Sequence, residues 1–327
     1  MSRLSIIIPL WADNELFEDT LASVLQNRPS DCEVLVVHSL PYDDPYGLHG
    51  EVQFVQTPTN ASPSRMVNAG CQASEGEILH VIQPGVLACD RWAEAALMSF
   101  DDSQVCAVAP LTVDADDADR IVAAGLRYTR GGRRLRHGAG SKLSKSQRVF
   151  RHSITGPALF AGFYRRWFWE AIGGFCERLD MDSADIDLAL SLNSLGYRCA
   201  LEPDSVVRAT AAVVDDPASF GSGCSAERVF WRHAAAQGWL ASLVLHPFAV
   251  LGSTLRDWQR PGGYLQLLGR LTSLLALPSH LTHAARVRQA VELFLLETPP
   301  DTATRSRMQH GRKAAATRPL PGYRDAA

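Results

Sequence analysis

The sequence predicts an α/β fold with a mostly parallel, Rossmann-like sheet, followed by a C-terminal α-helical extension. The chain opens with an apolar strand over Leu4–Pro9, an amphipathic helix over Asn14–Gln26 and a second apolar strand over Glu33–His38. Strand and helix patterns then alternate as far as Arg208, which is typical of a parallel sheet covered on both faces. Beyond Asp216 the patterns are helical only.

The other elements of the predicted sheet follow in chain order. Short β-rich runs predict strands at Val52–Gln56, Glu77–Ile82, Gln104–Pro110, Ile154–Tyr164, Cys199–Pro203 and Val206–Arg208. Helical patterns lie at Ser64–Ala73, at Arg91–Phe100 and from about Ser183 to Gly196. Residues 120–166 are rich in Lys and Arg and contain no Asp or Glu, and the glycines at 131, 132, 138 and 140 predict that the middle of this basic segment is a loop.

The predicted division of the chain is a sheet domain over residues 1–215, a helical extension over 216–297 and a disordered tail over 298–327. The predicted helices of the extension are Ala226–Gln237, Leu240–Leu255, Gly263–Leu277 and Leu281–Leu295. No charged residue lies between His233 and Leu255, so this stretch fits either an amphipathic element on a membrane surface or a helical subdomain packed on the sheet. The short apolar run at the N-terminus is no signal peptide, and we expect a cytoplasmic protein, peripheral to the membrane in the first of these cases.

Composition and missing motifs exclude several classes of function. A net charge of −3 does not suggest a nucleic-acid partner. The 7 Cys lack a C-x-x-C pair and the 10 His lack zinc-like spacing, so the sequence predicts no metal site. The first strand is followed by Pro9 and not by G-x-G-x-x-G, and neither G-x-S-x-G nor a P-loop occurs, which disfavours oxidoreductases, hydrolases and P-loop proteins.

Five segments carry a resemblance to a known family. They are the βαβ opening; Asn68-Ala69-Gly70 with Ala73, Gly76 and Glu77; Ile82-Gln83-Pro84-Gly85-Val86; Arg165-Arg166 with Gly173-Gly174-Phe175-Cys176-Glu177; and Ala184-Asp185-Ile186-Asp187-Leu188 with Gly196-Tyr197-Arg198. Their order and spacing resemble the family-2 glycosyltransferases, especially the rhamnosyltransferase-like members. The resemblance covers about two-thirds of the chain and implies a sheet of GT-A type.

The resemblance implies transfer of a sugar from a nucleotide-sugar donor to a glycan, lipid-linked or small-molecule acceptor, with inversion. Asp185 matches the catalytic base, and its place in the first turn of a predicted helix favours the ionised carboxylate. Asp187, two residues on, points elsewhere and is assigned an orienting or structural role, and Asp187, Arg165 and Arg166 are the candidates for acceptor contacts or for orienting the site. The donor site is expected at strand ends and the helix that follows, with these members: Pro9, Leu10, Trp11, Asp13, His38, Asn68, Gln83 and Gly85.

The sequence departs from the family at the metal motif, where members have L-[DN]-x-D. Gln83 is a poor ligand for a hard divalent cation and Gly85 has no side chain, so the Mg²⁺ or Mn²⁺ that members hold there lacks its carboxylates. Basic residues could neutralise the diphosphate in its place, because Arg binds phosphate bidentately. The alternative is a non-catalytic, degenerate glycosyltransferase-like protein that binds a partner or serves as a scaffold.

Overall fold

The computed structural model describes residues 3–11, 14–40, 42, 44, 47–145, 153–210, 213, 218–234, 238–257 and 262–297. Its strands are β1 (Leu4–Leu10), β2 (Cys32–His38), β3 (Gln53–Gln56), β4 (Ile78–Val81), β5 (Val86–Ala88), β6 (Val105–Asp114), β7 (Ile121–Ala123), β8 (Leu126–Tyr128), β9 (Arg134–Arg136), β10 (Phe163–Arg165) and β11 (Arg198–Ala209). Its α-helices are α1 (Asn14–Asn27), α2 (Pro63–Ala73), α3 (Trp92–Ser99), α4 (Arg166–Ile172), α5 (Met181–Ser194), α6 (Phe220–His233), α7 (Trp239–Asp257), α8 (Gly263–Ser273), α9 (Leu277–Leu281) and α10 (His283–Glu297).

A 9-stranded sheet forms the centre of the described part, in the order β3-β2-β1-β4-β10-β6-β11-β5, with β7 paired to β6. The pairs β3/β2, β2/β1, β1/β4 and β6/β11 are parallel, whereas β10, β5 and β7 run antiparallel to their neighbours. The predicted α/β class with a mostly parallel, Rossmann-like sheet is therefore confirmed. Strand β1 lies inside the parallel half and is buried along its whole length, as expected of a sequence that is apolar except at Ser5, whose hydroxyl is hydrogen-bonded to Glu33.

The register of the parallel half places the predicted donor-site strand ends at one edge. Leu10 pairs with His38, and the Ile82 N–H, one residue beyond β4, donates to the Ile7 carbonyl at 3.0 Å. The carboxyl ends of β1, β2 and β4 therefore lie side by side, which is where ligands of open α/β sheets bind.

The structure differs from the sequence prediction in several segments of the sheet domain. The predicted strand Ile154–Tyr164 is reduced to the short β10, which begins at Phe163. The predicted closing strands Cys199–Pro203 and Val206–Arg208 form one strand, β11, with a register shift between Glu202 and Val206. Within the predicted basic loop, β8 and β9 pair as a hairpin, and Gly132 at φ 90° occupies its turn. Sequence pattern does not identify this hairpin, because each of its strands has only 3 residues, too few for a period-2 alternation to stand out.

The C-terminal helices pack on the α/β part, and α6 is the main contact. Glycines allow α6 and α8 to approach closely: a Cβ at Gly223 would lie 2.0 Å from the Gln266 carbonyl oxygen. Arg228 of α6 donates to the Arg178 carbonyl at 2.6 Å, and the Ser225 hydroxyl accepts from the Asp180 N–H at 3.2 Å. The extension thus contacts the start of α5, which carries the two aspartates of the candidate site.

Helix α7 leaves one apolar face uncovered by the described residues. The exposed residues recur at helical spacing: Leu240 (78%), Val244 (64%), Phe248 (70%), Leu251 (57%) and Leu255 (68%). In the described part of the chain, no helix combines the length and the apolar character needed to cross a bilayer.

Candidate active site

The metal motif of the resembling family is replaced by a tight turn after β4. The Val86 N–H donates to the Gln83 carbonyl at 3.0 Å, Pro84 follows Gln83, and Gly85 has φ +87°, which together define a type II turn. The Gly85 N–H donates to the Thr20 hydroxyl at 2.9 Å, so α1 holds the turn in place.

This turn has no room for a carboxylate at position 85. A Cβ built on Gly85 would lie 2.8 Å from Thr210 Oγ1 and 2.9 Å from Val213 Cγ2. Gln83 offers only an amide, which binds hard divalent cations poorly. The residues at this position therefore do not fit the Mg²⁺ or Mn²⁺ implied by the family resemblance, and no step of the chemistry below passes through such an ion.

Two glycine substitutions will separate the strain at this turn from its crowding. Gly173, at φ +80°, has open space around its Cβ position, whereas Gly85 does not. We expect Gly173→Ala to lower the free energy of unfolding by about 1–2 kcal/mol, the cost of a left-handed conformation with a side chain. Gly85→Ala adds about 1–3 kcal/mol of overpacking to that cost. Urea unfolding of the two variants measures the difference, and equal losses would contradict the crowding.

The strand ends form the wall on which the donor was predicted to bind. Pro9 and Leu10 are buried in β1, Trp11 is half-buried, and Asp13 lies outside the described residues. The half-buried His38 bonds through Nδ1 to the Leu40 carbonyl at 2.8 Å. Next to it, the rings of Tyr42 and Phe54 stack with centroids 5.8 Å apart. No sequence pattern indicates this aromatic pair, because its two members belong to a loop and a separate strand.

Asn68 serves a different purpose from the predicted donor contact. Its Nδ2 donates to the Phe175 carbonyl at 2.8 Å, and its Oδ1 accepts from the Phe175 N–H at 2.9 Å. Both ends of this buried amide are thus used to join α2 to the Gly-Gly-Phe turn after α4. The motifs Asn68-Ala69-Gly70 and Gly173-Gly174-Phe175 therefore contact each other, and Asn68 has a structural role in the fold.

Arg165 and Arg166 likewise lie away from the predicted site. Arg165 Nε donates to the Val105 carbonyl at 2.7 Å, and Arg166 donates to the Cys71 carbonyl at 2.9 Å and to the Ser74 hydroxyl at 2.7 Å. Val105 begins β6, so Arg165 lies near the amino end of a strand of the parallel pair β6/β11, opposite the edge expected to bind ligand. Their predicted orienting role is corrected to the binding of backbone carbonyls.

Asp185 lies in the second turn of α5, one turn further in than predicted. The helix begins at Met181, because Asp180 caps it by accepting from the Ser183 N–H at 2.8 Å. The Asp185 side chain is fully buried, and its oxygens accept from Arg134 Nε at 3.2 Å, from Arg134 Nη2 at 2.7 Å and from the Leu159 N–H at 3.2 Å.

Burial decides the protonation of this carboxyl group. Loss of water raises the pKa of Asp185 to about 7, although the Arg134 guanidinium and the Leu159 amide favour the charged form. The expectation that the helix terminus keeps this carboxyl in its ionised form is therefore corrected. A carboxyl that titrates near neutral pH is suited to general base catalysis.

A short backbone path joins Asp185 to the turn after β4. Leu159 donates its N–H to Asp185, and the next residue, Phe160, accepts at its carbonyl from the Gln83 N–H at 2.9 Å. The structure therefore brings the predicted base next to the predicted donor site, although they are about 100 residues apart in sequence.

Arg134 separates Asp185 from a cavity of about 220 Å³. Besides Asp185, the guanidinium contacts Asp182 at 2.8 Å, and its side chain is 16% exposed. Burial disfavours its charge, but Asp185 and Asp182 raise the pKa of Arg134 above its ordinary value. The cavity lies between the β8–β9 hairpin, the start of α5 and helices α6 to α8, and its polar lining includes Tyr128, Arg133, Asp182, Gln266 and Arg270.

Asp187 faces a different set of residues, as its spacing predicted. It accepts from Arg232 Nη1 at 2.8 Å and lies 2.9 Å from His233 Nε2. Burial opposes its charge, but the hydrogen bond from His233 and the nearby Arg232 lower the pKa of Asp187 to about 2. In this arrangement Asp187 joins α5 to α6 and has no contact with Arg134 among those described.

Comparison with known proteins supports the fold. No protein-family profile and no curated protein matches the sequence. Among solved structures, S. aureus TarS (residues 1–349) is similar over 96% of this chain and 90% of its own, with 15% identity and a TM-score of 0.53. GalNAc-T7, solved with UDP, GalNAc and Mn²⁺, is similar over 69% of this chain, with 15% identity and a TM-score of 0.51, and the chain spans 48% of that protein.

A third structure is similar over almost the whole chain. The mannosyltransferase PcManGT from Pyrobaculum calidifontis, in complex with GDP-Man and Mn²⁺, matches 97% of this chain and 81% of its own, with 18% identity and a TM-score of 0.48. The fold assignment depends on the first two structures and on the strand order described above. The chain has the GT-A-type fold of glycosyltransferases.

Proposed function

We propose that this protein is an inverting, family-2-like glycosyltransferase that moves a sugar from a nucleotide-sugar to a hydroxyl group of a glycan, lipid-linked or small-molecule acceptor. The observation that carries the proposal is the position of Asp185, one backbone link from the turn after β4 in a GT-A-type fold. Its pKa of about 7 suits a group that accepts a proton at neutral pH.

In the proposed reaction, the acceptor hydroxyl gives its proton to Asp185. The hydroxyl oxygen forms a bond to the anomeric carbon of the donor while the bond from that carbon to the nucleoside diphosphate breaks on the opposite face. The charge of the leaving diphosphate must be neutralised, and the turn at Gln83–Gly85 cannot do this by carboxylate chelation of a metal. We assign this task to cations of the basic segment, because a guanidinium binds phosphate oxygens bidentately.

The cavity next to Arg134 is the proposed acceptor site. The Tyr128 hydroxyl is buried there without a hydrogen-bond partner among the described residues, and Asp182 and Gln266 add further polar groups. Such groups suit the hydroxyls of a sugar. An acceptor in this cavity reaches Asp185 only when Arg134 moves aside, because Asp185 is fully buried behind it.

Two observations favour the alternative, a non-catalytic protein that binds a partner or a glycan or serves as a scaffold. Asp185 is fully buried in an ion pair, and Gly85 has no space for the carboxylate used by metal-dependent members of the resembling family. A protein that had lost the reaction but kept the fold would show both features.

Calorimetric titration with UDP, GDP and dTDP, each with and without Mn²⁺, tests the proposal. We expect one nucleotide to bind with an affinity that Mn²⁺ changes by less than about 3-fold. Such a change corresponds to roughly 0.6 kcal/mol of binding free energy, which is too little for direct contact between the metal ion and the diphosphate. Binding of none of the three nucleotides would support the non-catalytic alternative. Strong dependence on Mn²⁺ would contradict the metal-independent donor site.

We further propose that the exposed face of α7 rests on a lipid surface. Leu240, Phe248 and Leu255 project from one side of a helix whose first part has no charged residue, and Trp239, suited to a bilayer interface, begins it. The basic segment contributes less than the sequence suggested, because Arg134 is turned inward onto Asp185 and Asp182. Since the contact is apolar, we expect vesicle binding to vary little with salt.

Flotation with phosphatidylcholine vesicles, with and without anionic lipid, checks this placement. Leu240→Glu combined with Phe248→Glu should abolish binding, because two carboxylates would enter the apolar layer. Met98→Glu is the matched control, since Met98 is 62% exposed on α3, away from this face. Vesicle binding that survives the double substitution would contradict the proposal. The proposal would also be contradicted if the wild type bound no vesicles and formed a dimer that the double substitution converts to a monomer.

A further inference from the structure

Three helices bring together metal-ligand side chains that lie far apart in the sequence. Asp187 belongs to α5, His233 is the last residue of α6, and His283 is the first residue of α10. One ligand atom from each, a carboxylate oxygen or an imidazole nitrogen, lies within 4.8 Å of the other two. We propose that this cluster, the α5–α6–α10 site, binds a divalent transition-metal ion of the zinc class.

The distances match those expected around such an ion. Ligand atoms about 2.1 Å from a tetrahedral zinc lie roughly 3.4 Å from one another. Asp187 Oδ1 lies 2.9 Å from His233 Nε2 and 3.8 Å from His283 Nε2, so small side-chain rotations give the required spacing. Two imidazoles and one carboxylate form a ligand set that zinc and other first-row divalent metals accept.

A second observation points independently to a ligand at this place. His283 Nε2 is buried and has no hydrogen-bond partner among the residues that the structure describes, although it is directed at Asp187. Leaving such a polar atom buried and unpaired destabilises a fold, because its bond to water is lost and not replaced. A metal ion bound to this nitrogen would replace the missing hydrogen bond. The neighbouring His233 does not provide one, since its Nε2 is paired with Asp187 Oδ1.

The surroundings provide access and orientation for the ion. A cavity of about 200 Å³ reaches Asp187 and His283 and is also lined by Cys176, so a fourth position is open to water or to a further ligand. Arg232 donates to Asp187 Oδ2 and holds the carboxylate in orientation, and the metal would take the place of the proton between Asp187 Oδ1 and His233 Nε2.

This site is separate from the proposed donor site. Asp187 and Asp185 point in different directions from α5, and the donor site has no carboxylate at Gln83 or Gly85. The bound ion would fasten α6 and α10 of the extension to the sheet domain. It has no contact with the reacting groups of the proposed transfer.

The test uses the full chain after dialysis against a chelator, with no nucleotide present. Titration with Zn²⁺, and with Co²⁺ as a visible reporter, should give one bound ion per chain. His233→Ala and His283→Ala should each weaken metal binding by at least roughly 10- to 100-fold. Loss of a residue that only orients a ligand already has an effect of this size, and these two residues are direct ligands. His280→Ala is the matched control, because His280 is buried on α9 and contacts Ser273, not Asp187.

The outcomes are distinct even where a variant folds poorly. The wild-type Co²⁺ spectrum needs no variant, and His283→Gln changes a partly exposed residue at a helix start, where substitution is tolerated better. Tetrahedral Co²⁺ absorption that is kept in His280→Ala and lost in His283→Gln supports the site. Absence of binding by the wild type, or binding that His283→Gln leaves unchanged, would overturn it.

Discussion

Replacement of Asp185 by Asn should lower the rate of sugar transfer, or of donor hydrolysis, by roughly 10²- to 10⁴-fold, the usual contribution of a general base. Asn keeps the shape of the side chain and can still accept one hydrogen bond from Arg134, but it cannot take up a proton. The readout is release of nucleoside diphosphate from the sugar form of whichever nucleotide binds in the titration.

The pH profile of the wild type provides an independent check on this residue. Because the pKa of Asp185 is raised to about 7, the carboxyl is protonated and inactive in acid, and the rate should rise with pH through that region. The rising limb should disappear in Asp185→Asn.

Asp182→Asn is the matched control for this prediction. Asp182 lies on the same helix and also pairs with Arg134, at 2.8 Å, but it is 28% exposed. We expect its substitution to change the rate by less than about 10-fold, because it removes no proton acceptor from the proposed reaction. Equal losses in the two variants would show that the placement of Arg134, and not proton transfer to Asp185, limits the rate.

Removal of the Arg134 side chain should have the largest effect on stability. Breaking a buried ion pair by removing one partner leaves an uncompensated charge, which costs about 3–5 kcal/mol. We expect this loss for Arg134→Met at about pH 8, where the Asp185 carboxyl of the wild type is largely ionised. Urea unfolding at about pH 8 and at about pH 6 measures it.

The sign of the pH dependence follows from the direction of the pKa shift. The folded pKa of Asp185, about 7, lies above its ordinary value of 3.8, so proton uptake contributes stability at low pH that is lost as pH rises through the folded pKa. Without Arg134 the folded pKa rises further. The deficit of Arg134→Met should therefore grow with pH and be smaller at about pH 6 than at about pH 8.

Two further variants control the Arg134 experiment. Arg133→Met removes a neighbouring cation that has no ion pair within the described part of the chain, and we expect it to cost less than about 1 kcal/mol. Adding Asp185→Asn to Arg134→Met should recover much of the lost stability, since no buried charge is then left unpaired. A deficit that does not vary with pH and is not relieved by Asp185→Asn would contradict a pairing of the two charges.

The sequence by itself determined the class of fold and the position of the candidate base. Predominantly apolar runs such as Leu4–Leu10 identify strands buried on both faces, and their alternation with helices predicts a mostly parallel sheet. The loss of a metal ligand at Gly85 was also evident from the residue type, because a glycine has no side chain under any fold. Local residue patterns are sufficient for conclusions of this kind.

Other conclusions required the tertiary structure, because they depend on residues distant in the chain. The motif residues Asn68 and Arg166 resemble site residues in the sequence, yet their side chains bind backbone groups. Arg134 lies 51 residues from Asp185, and its basic neighbours suggested a solvated loop. A local sequence pattern cannot predict a bidentate ion pair between residues so far apart in the chain.

The α5–α6–α10 site shows the same limit most clearly. Its ligands come from positions 187, 233 and 283, so no spacing in the sequence indicates a metal. Packing of three helices creates the convergence of Asp187, His233 and His283, and packing also sets the desolvation that raises the pKa of Asp185. The sequence specified which side chains exist, whereas the fold decided which of them face one another and which are removed from water.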